Sequence, residues 1–126
     1  MRVMIVDGDS YIRESLSEVL EQRGHQPLVY SRVPDAVEAL LAEGCDVILL
    51  DLAGLDVAAT IPILREVDPG LLIVIMSSDP SPAARERAIR SGAFHYLVKP
   101  LDIAEVFQVL DRASALRRDA GSGMGP

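Results

Sequence analysis

The chain has 126 residues, 49% hydrophobic and 25% charged but only 4% aromatic, which suits one globular domain with an aliphatic core. Its net charge of −7 argues against direct contact with nucleic-acid phosphates. The single cysteine, Cys45, excludes an intrachain disulfide, and no apolar run reaches the roughly 20 residues of a membrane span or forms a signal-peptide core, so the chain reads as cytoplasmic and not membrane-bound.

The first predicted strand is Val3–Val6, followed by Asp7, Gly8 and Asp9. Ile12, Leu16, Val19 and Leu20 then recur at helical spacing, and Gly24 marks a stop. Leu28–Tyr30 is the second strand, and Pro34 opens a helix carrying Val37, Leu40 and Leu41 toward Gly44. Val47–Leu50 is the third strand and ends at Asp51. A helix follows from about Asp56 to Val67, with Pro62 read as its true first turn. Leu71–Met76 is the fourth strand, leading into Ser77, Ser78 and Asp79. The helix after Pro82 carries Ala84, Ala88 and Ile89 and stops at Gly92. Phe94–Val98 is the fifth strand, followed by Lys99 and Pro100. Asp102 and Glu105 form a variant capping box for a last helix with Ile103, Val106, Phe107 and Leu110 on one stripe. The domain is expected over residues 1–117, with 118–126 a flexible tail or the start of a linker.

Strand then helix, five times over, predicts an α/β fold: a (βα)5, doubly wound, five-stranded parallel sheet with helices on both faces. Such sheets bind ligands beyond the carboxyl ends of their strands. Those ends supply Asp7 and Asp9, Asp51, Ser77 and Asp79, and Lys99. Of the 12 basic residues, 11 are arginine, so Lys99 is the only lysine. A compact ammonium among carboxylates suits a tight anionic pocket better than a guanidinium. The surplus carboxylate charge calls for a hard cation such as Mg²⁺. That combination fits stabilisation of a phosphoryl group in transfer, with a carboxylate as acceptor.

The pattern resembles the receiver domains of bacterial two-component response regulators, from about Arg2 to Leu116. MIVDGDSYIR looks like the family's acidic loop and opening helix, CDVILLDL its phosphorylation strand, and IVIMSS the segment ending in a switch hydroxyl. SGAFHYLVKPLDIAEV is similar to receivers of enhancer-binding transcriptional activators. The resemblance implies the flavodoxin-like strand order 2-1-3-4-5. It implies Asp51 as phosphoacceptor, Mg²⁺ held by Asp7, Asp51 and the Ala53 carbonyl, and Lys99 and Ser77 on the phosphoryl oxygens. It further implies a switch in which Tyr96 swings inward as Ser77 moves, and a cis Lys99–Pro100 bond. The implied partners are a histidine kinase or phosphotransfer protein. A homodimer would use the face of the fourth helix, fifth strand and fifth helix, with Arg85, Arg87 and Arg90 set against Asp102, Glu105 and Asp111. No enzyme activity beyond phosphoryl acceptance and self-dephosphorylation is implied.

Two positions depart from the family. Gly8 stands where a second, metal-binding acid is usual, with Asp9 the nearest substitute, and the loop after Asp51 is shorter and lacks a proline. The alternative reading is therefore a pseudo-receiver: the same fold used as a binding module without phosphorylation. Asp7-Gly8-Asp9 also looks like the nucleophile loop of haloacid dehalogenase-type phosphohydrolases, but nothing after Lys99 resembles their later acidic pair.

Overall fold

In the computed structural model the backbone is described for residues 1–123 and the side chains for residues 1–119. Five strands alternate with five helices: β1 Arg2–Val6, α1 Ser10–Gln22, β2 Gln26–Tyr30, α2 Val33–Glu43, β3 Val47–Asp51, α3 Val57–Val67, β4 Leu72–Ser77, α4 Pro82–Arg90, β5 His95–Val98 and α5 Ile103–Gly123. All pairings are parallel and the order is β2-β1-β3-β4-β5, as the resemblance implied. The central strands are unbroken apolar runs up to their polar end residues because helices cover both of their faces. Met4, Ile48, Ile73 and Ile75 pack with residues of α2, α3 and α4, whereas Val3, Ile5, Leu49 and Val74 pack with α1 and α5. Each such side chain is essentially inaccessible to solvent, and its burial is worth about 1.5–3 kcal/mol.

The sequence reading of the helices needs four corrections. Pro62 is not the start of α3 but lies inside it; Asp56 caps the helix, its carboxylate accepting the Ala58 N–H at 3.0 Å. A proline removes one ladder donor, and burial of Ile61 and Leu64 on either side of it outweighs that loss. The stripe of α5 is Val106, Val109, Leu110 and Ala113, while Ile103 is 37% exposed; Leu41 and Ile89 are likewise exposed. Only half of the capping box forms: Asp102 accepts the Ala104 N–H at 2.9 Å, but Glu105 turns to His95 at 3.0 Å. Finally, α5 continues to Gly123, past the expected domain end at 117, since Arg118, Asp119 and Ala120 do not interrupt a helix. Residues 124–126 lie outside the described residues. No helix among the described residues is long and apolar enough to cross a membrane.

At the sheet end opposite Asp51, Arg117 of α5 bonds Asp46 at 3.2 Å and the Gly70 carbonyl at 2.9 Å. Cys45 is buried close by, and burial, followed by the nearby charges of Asp46 and Asp68, pushes its thiol from an ordinary 9.0 up to about 11. The folded state thus holds a proton that the unfolded chain releases near pH 9. This contribution to stability is complete below pH 9 and is lost as pH rises toward about 11. Labelling of Cys45 by a disulfide reagent at pH 8 is expected to follow global opening, slow in buffer and steeply faster in urea. Free-thiol labelling rates in buffer would contradict this placement.

Candidate functional site

Parallel register assembles the site. Val6 pairs with Leu50, so the next residue on each strand, Asp7 and Asp51, emerge side by side. Ser77 pairs with Val98, and the Lys99 N–H donates to the Ser77 carbonyl at 2.8 Å. Strand β5 stands three places from β1, at about 4.8 Å per place. Only a long side chain spans that gap, and Lys99 does: its Nζ lies 2.7 Å from Asp7 Oδ2 and 3.0 Å from Asp51 Oδ1. The Lys99–Pro100 bond is cis.

Asp7 is the one buried charged residue among those described, 2% exposed. Its Oδ1 accepts the Asp9 N–H at 2.9 Å and its carbonyl accepts from Arg13 at 2.7 Å. Burial opposes the charge on Lys99, but hydrogen bonds and Coulomb attraction from Asp7 and Asp51 together prevail, and its pKa is raised. Two carboxylates facing one ammonium leave a surplus negative charge in the cleft.

The two departures from the family are visible here. Gly8 is not at positive φ, and a Cβ built on it meets nothing within 4 Å, so neither backbone nor space demands glycine. Asp9, which lines the same cleft, is the N-cap of α1, its carboxylate accepting the Tyr11 N–H at 2.9 Å. That is the stronger local use of the residue, since it satisfies an orphan helix donor. The short loop after Asp51 turns at Gly54, φ +74°, with the Leu55 N–H closing onto the Leu52 carbonyl, and Ala53 lines the cleft. No three His, Cys, Asp or Glu side chains among the described residues are grouped to hold a metal. Asp7 and Asp51 line the cleft together with Ala53. They fit a hard cation that takes few protein ligands and completes its shell with water and phosphate oxygens.

Ser77 lines the same cleft. Its Oγ accepts the Asp79 N–H at 3.1 Å and donates no hydrogen bond among the described residues. The Tyr96 ring is fully buried, and its hydroxyl donates to the Asp79 carbonyl at 2.6 Å. The structure therefore places the Tyr96 ring inside the core, with only its hydroxyl tied to the loop after β4. Arg85 lies over the ring at 5.6 Å from its centroid. Hydrogen bonds from the Ser81 backbone and then its hydroxyl hold the Asp79 carboxyl below its ordinary value. Sequence reasoning noted Asp79 without a role and missed Arg13. Nothing in spacing alone indicates that the Asp79 carbonyl will receive the Tyr96 hydroxyl or the Asp7 carbonyl the Arg13 guanidinium.

The sequence matches the response regulator receiver domain family over residues 3–111. The DNA-binding transcriptional regulator NtrC of Proteus hauseri is 34% identical over 113 residues, which cover 88% of this chain and 24% of that protein. The chain thus spans about a quarter of the length of the curated relatives it matches. Among solved structures, the beryllofluoride-activated NtrC4 receiver domain dimer is 26% identical at a TM-score of 0.83, with 89% of this chain and 94% of that one covered. A two-component response regulator from Clostridium difficile, 24% identical, shares the fold at a TM-score of 0.83 over 94% of this chain and 97% of its own. With its strand order, its strand-end carboxylates and its bridging lysine in place, the chain belongs to the response regulator receiver domain family, of the NtrC type.

Proposed function

We propose that Asp51 accepts a phosphoryl group from the phosphohistidine of a histidine kinase or phosphotransfer protein, or from a small phosphodonor. The observation that carries this reading is Lys99 bridging Asp7 and Asp51 in one cleft with the undonated Ser77 hydroxyl. A carboxylate oxygen of Asp51 attacks phosphorus, the donor's P–N bond breaks, and the imidazole leaves with the electron pair. Lys99 then follows the charge from the carboxylate to a phosphoryl oxygen, and Ser77 donates to another. A Mg²⁺ ion held by Asp7, Asp51 and the Ala53 carbonyl would neutralise the oxygens in flight.

Acceptance leads to a switch in this reading. When Ser77 turns toward phosphate it releases the Asp79 N–H, and Asp79 also carries the acceptor of the Tyr96 hydroxyl. The signal then reaches the face of α4, β5 and α5, where a homodimer is the proposed output. Four of its charges are already engaged within the chain: Arg90 with Glu86, Glu105 with His95, Arg85 over Tyr96, and Asp102 with the Ala104 N–H. Arg87 and Asp111 are the ones left for a partner copy. The relatives are DNA-binding regulators, and with a net charge of −7 this portion leaves nucleic-acid contact to other parts of such a protein.

The pseudo-receiver is the second reading, favoured by Gly8 and by the use of Asp9 as a cap. Mass spectrometry after incubation with acetyl phosphate and Mg²⁺ separates the two. A single phosphoryl adduct, lost in Asp51→Ala, is the expected result; an unmodified wild type would favour the pseudo-receiver. Because position 8 has room for a side chain, Gly8→Asp is expected to tighten Mg²⁺ binding by about tenfold, measured by amide shifts at the strand ends. An unchanged affinity would remove Gly8 as the cause of weak metal binding.

A further inference from the structure

The cleft at Asp51 does not end at Gly8. A second cleft shares Asp7, Gly8, Asp51 and Ala53 with it, and Ser31 and Arg32 of the β2–α2 connection help form its remaining wall. Arg32 is exposed, caps no helix donor with its side chain, and makes no side-chain hydrogen bond or ion pair among the described residues. It is thus a free guanidinium bordering a cleft that carries both site carboxylates. Gly8 lines both clefts, and a Cβ there would touch nothing.

The charges give this arrangement a direction. Asp7 and Asp51 against Lys99 leave one negative charge uncompensated, and an arriving phosphate adds more. A carboxylate at position 8 would recruit a divalent cation to balance that charge. Without it, the cation lining the second cleft is Arg32. A guanidinium presents a planar fork that matches two phosphate oxygens, and it stays charged at any working pH.

We propose that Arg32 is a second cationic anchor for phosphate at this site. It reaches across the opening at Gly8 and takes part of the load that a carboxylate-held metal would otherwise carry. This deepens, and rests on, the reading that the cleft receives a phosphoryl group. Its consequence is phosphate recognition that depends less on metal than a second acid at position 8 would make it. Placing Asp at position 8 sets a carboxylate beside Arg32 and should silence it.

The test is an orthophosphate titration in EDTA at constant ionic strength, followed by the amide resonances of Gly8, Arg32 and Ala53. Wild type is expected to bind, Arg32→Gln to bind about tenfold more weakly, and Arg32→Lys to recover part of the loss. Arg32 is exposed, so both variants should keep the native spectrum elsewhere. In the Gly8→Asp background, Arg32→Gln should have little further effect. Equal phosphate affinity in wild type and Arg32→Gln, or no metal-free binding by wild type, would overturn the proposal. Asp51→Asn separates it from the reading beneath it. If phosphodonors leave no adduct on wild type but Asp51→Asn still binds phosphate through Arg32, phosphorylation fails and the anchor stands. If the adduct forms at a rate indifferent to Arg32 and phosphate binding is equally indifferent, the anchor alone fails.

Discussion

The ammonium of Lys99, 2.7 Å from Asp7 and 3.0 Å from Asp51, is the contact around which the active end of this domain is organised. Two carboxylates on adjacent strands repel each other, and Asp7 is almost wholly out of water, where an uncompensated charge is costly. A cation must sit between them for the strand ends to stay together. It comes from the end of β5 on a side chain long enough to reach both acids, and its head is compact enough to share the space between them. The fold therefore carries its own counter-ion to the place where phosphate chemistry would need one.

Around that bridge the acidic loop is tied from three directions. Asp7 gives one carboxylate oxygen to Lys99, the other to the Asp9 amide, and its carbonyl to Arg13. These ties hold the loop without any contribution from position 8. Gly8 is therefore a difference in chemistry and not in architecture: it removes a ligand while leaving the strand ends where they are. It also opens the site toward Ser31 and Arg32, so a missing acid becomes an opening with a cation on its border.

A second small network runs from the site toward the surface. Asp79 receives the Tyr96 hydroxyl on its carbonyl and gives its amide to Ser77. One peptide segment thus links the hydroxyl in the cleft to the buried ring between β5 and α4, and Arg85 lies over that ring from outside. Because the ring is completely buried, any change in Asp79 must be met by repacking and not by a free rotation in solvent.

The sequence by itself determined the fold class and the cast of site residues. Unbroken aliphatic runs such as Val47–Leu50 suit strands covered on both faces, and in a parallel sheet the polar residues after each run fall at one end. Asp7, Asp51, Ser77 and Lys99 were legible for that reason. What tertiary structure alone decided is where each side chain turns. Asp9 became the cap of α1, its carboxylate turned to the Tyr11 amide two residues on. Pro62 was absorbed into α3 because buried neighbours on both sides outweigh one lost hydrogen bond. Glu105 left its capping box for His95, and Tyr96 found its acceptor on Asp79, 17 residues back in the chain. Periodicity reports which face of an element is apolar, but a hydrogen bond between side chains is settled by packing between elements that the chain brings together only when it folds.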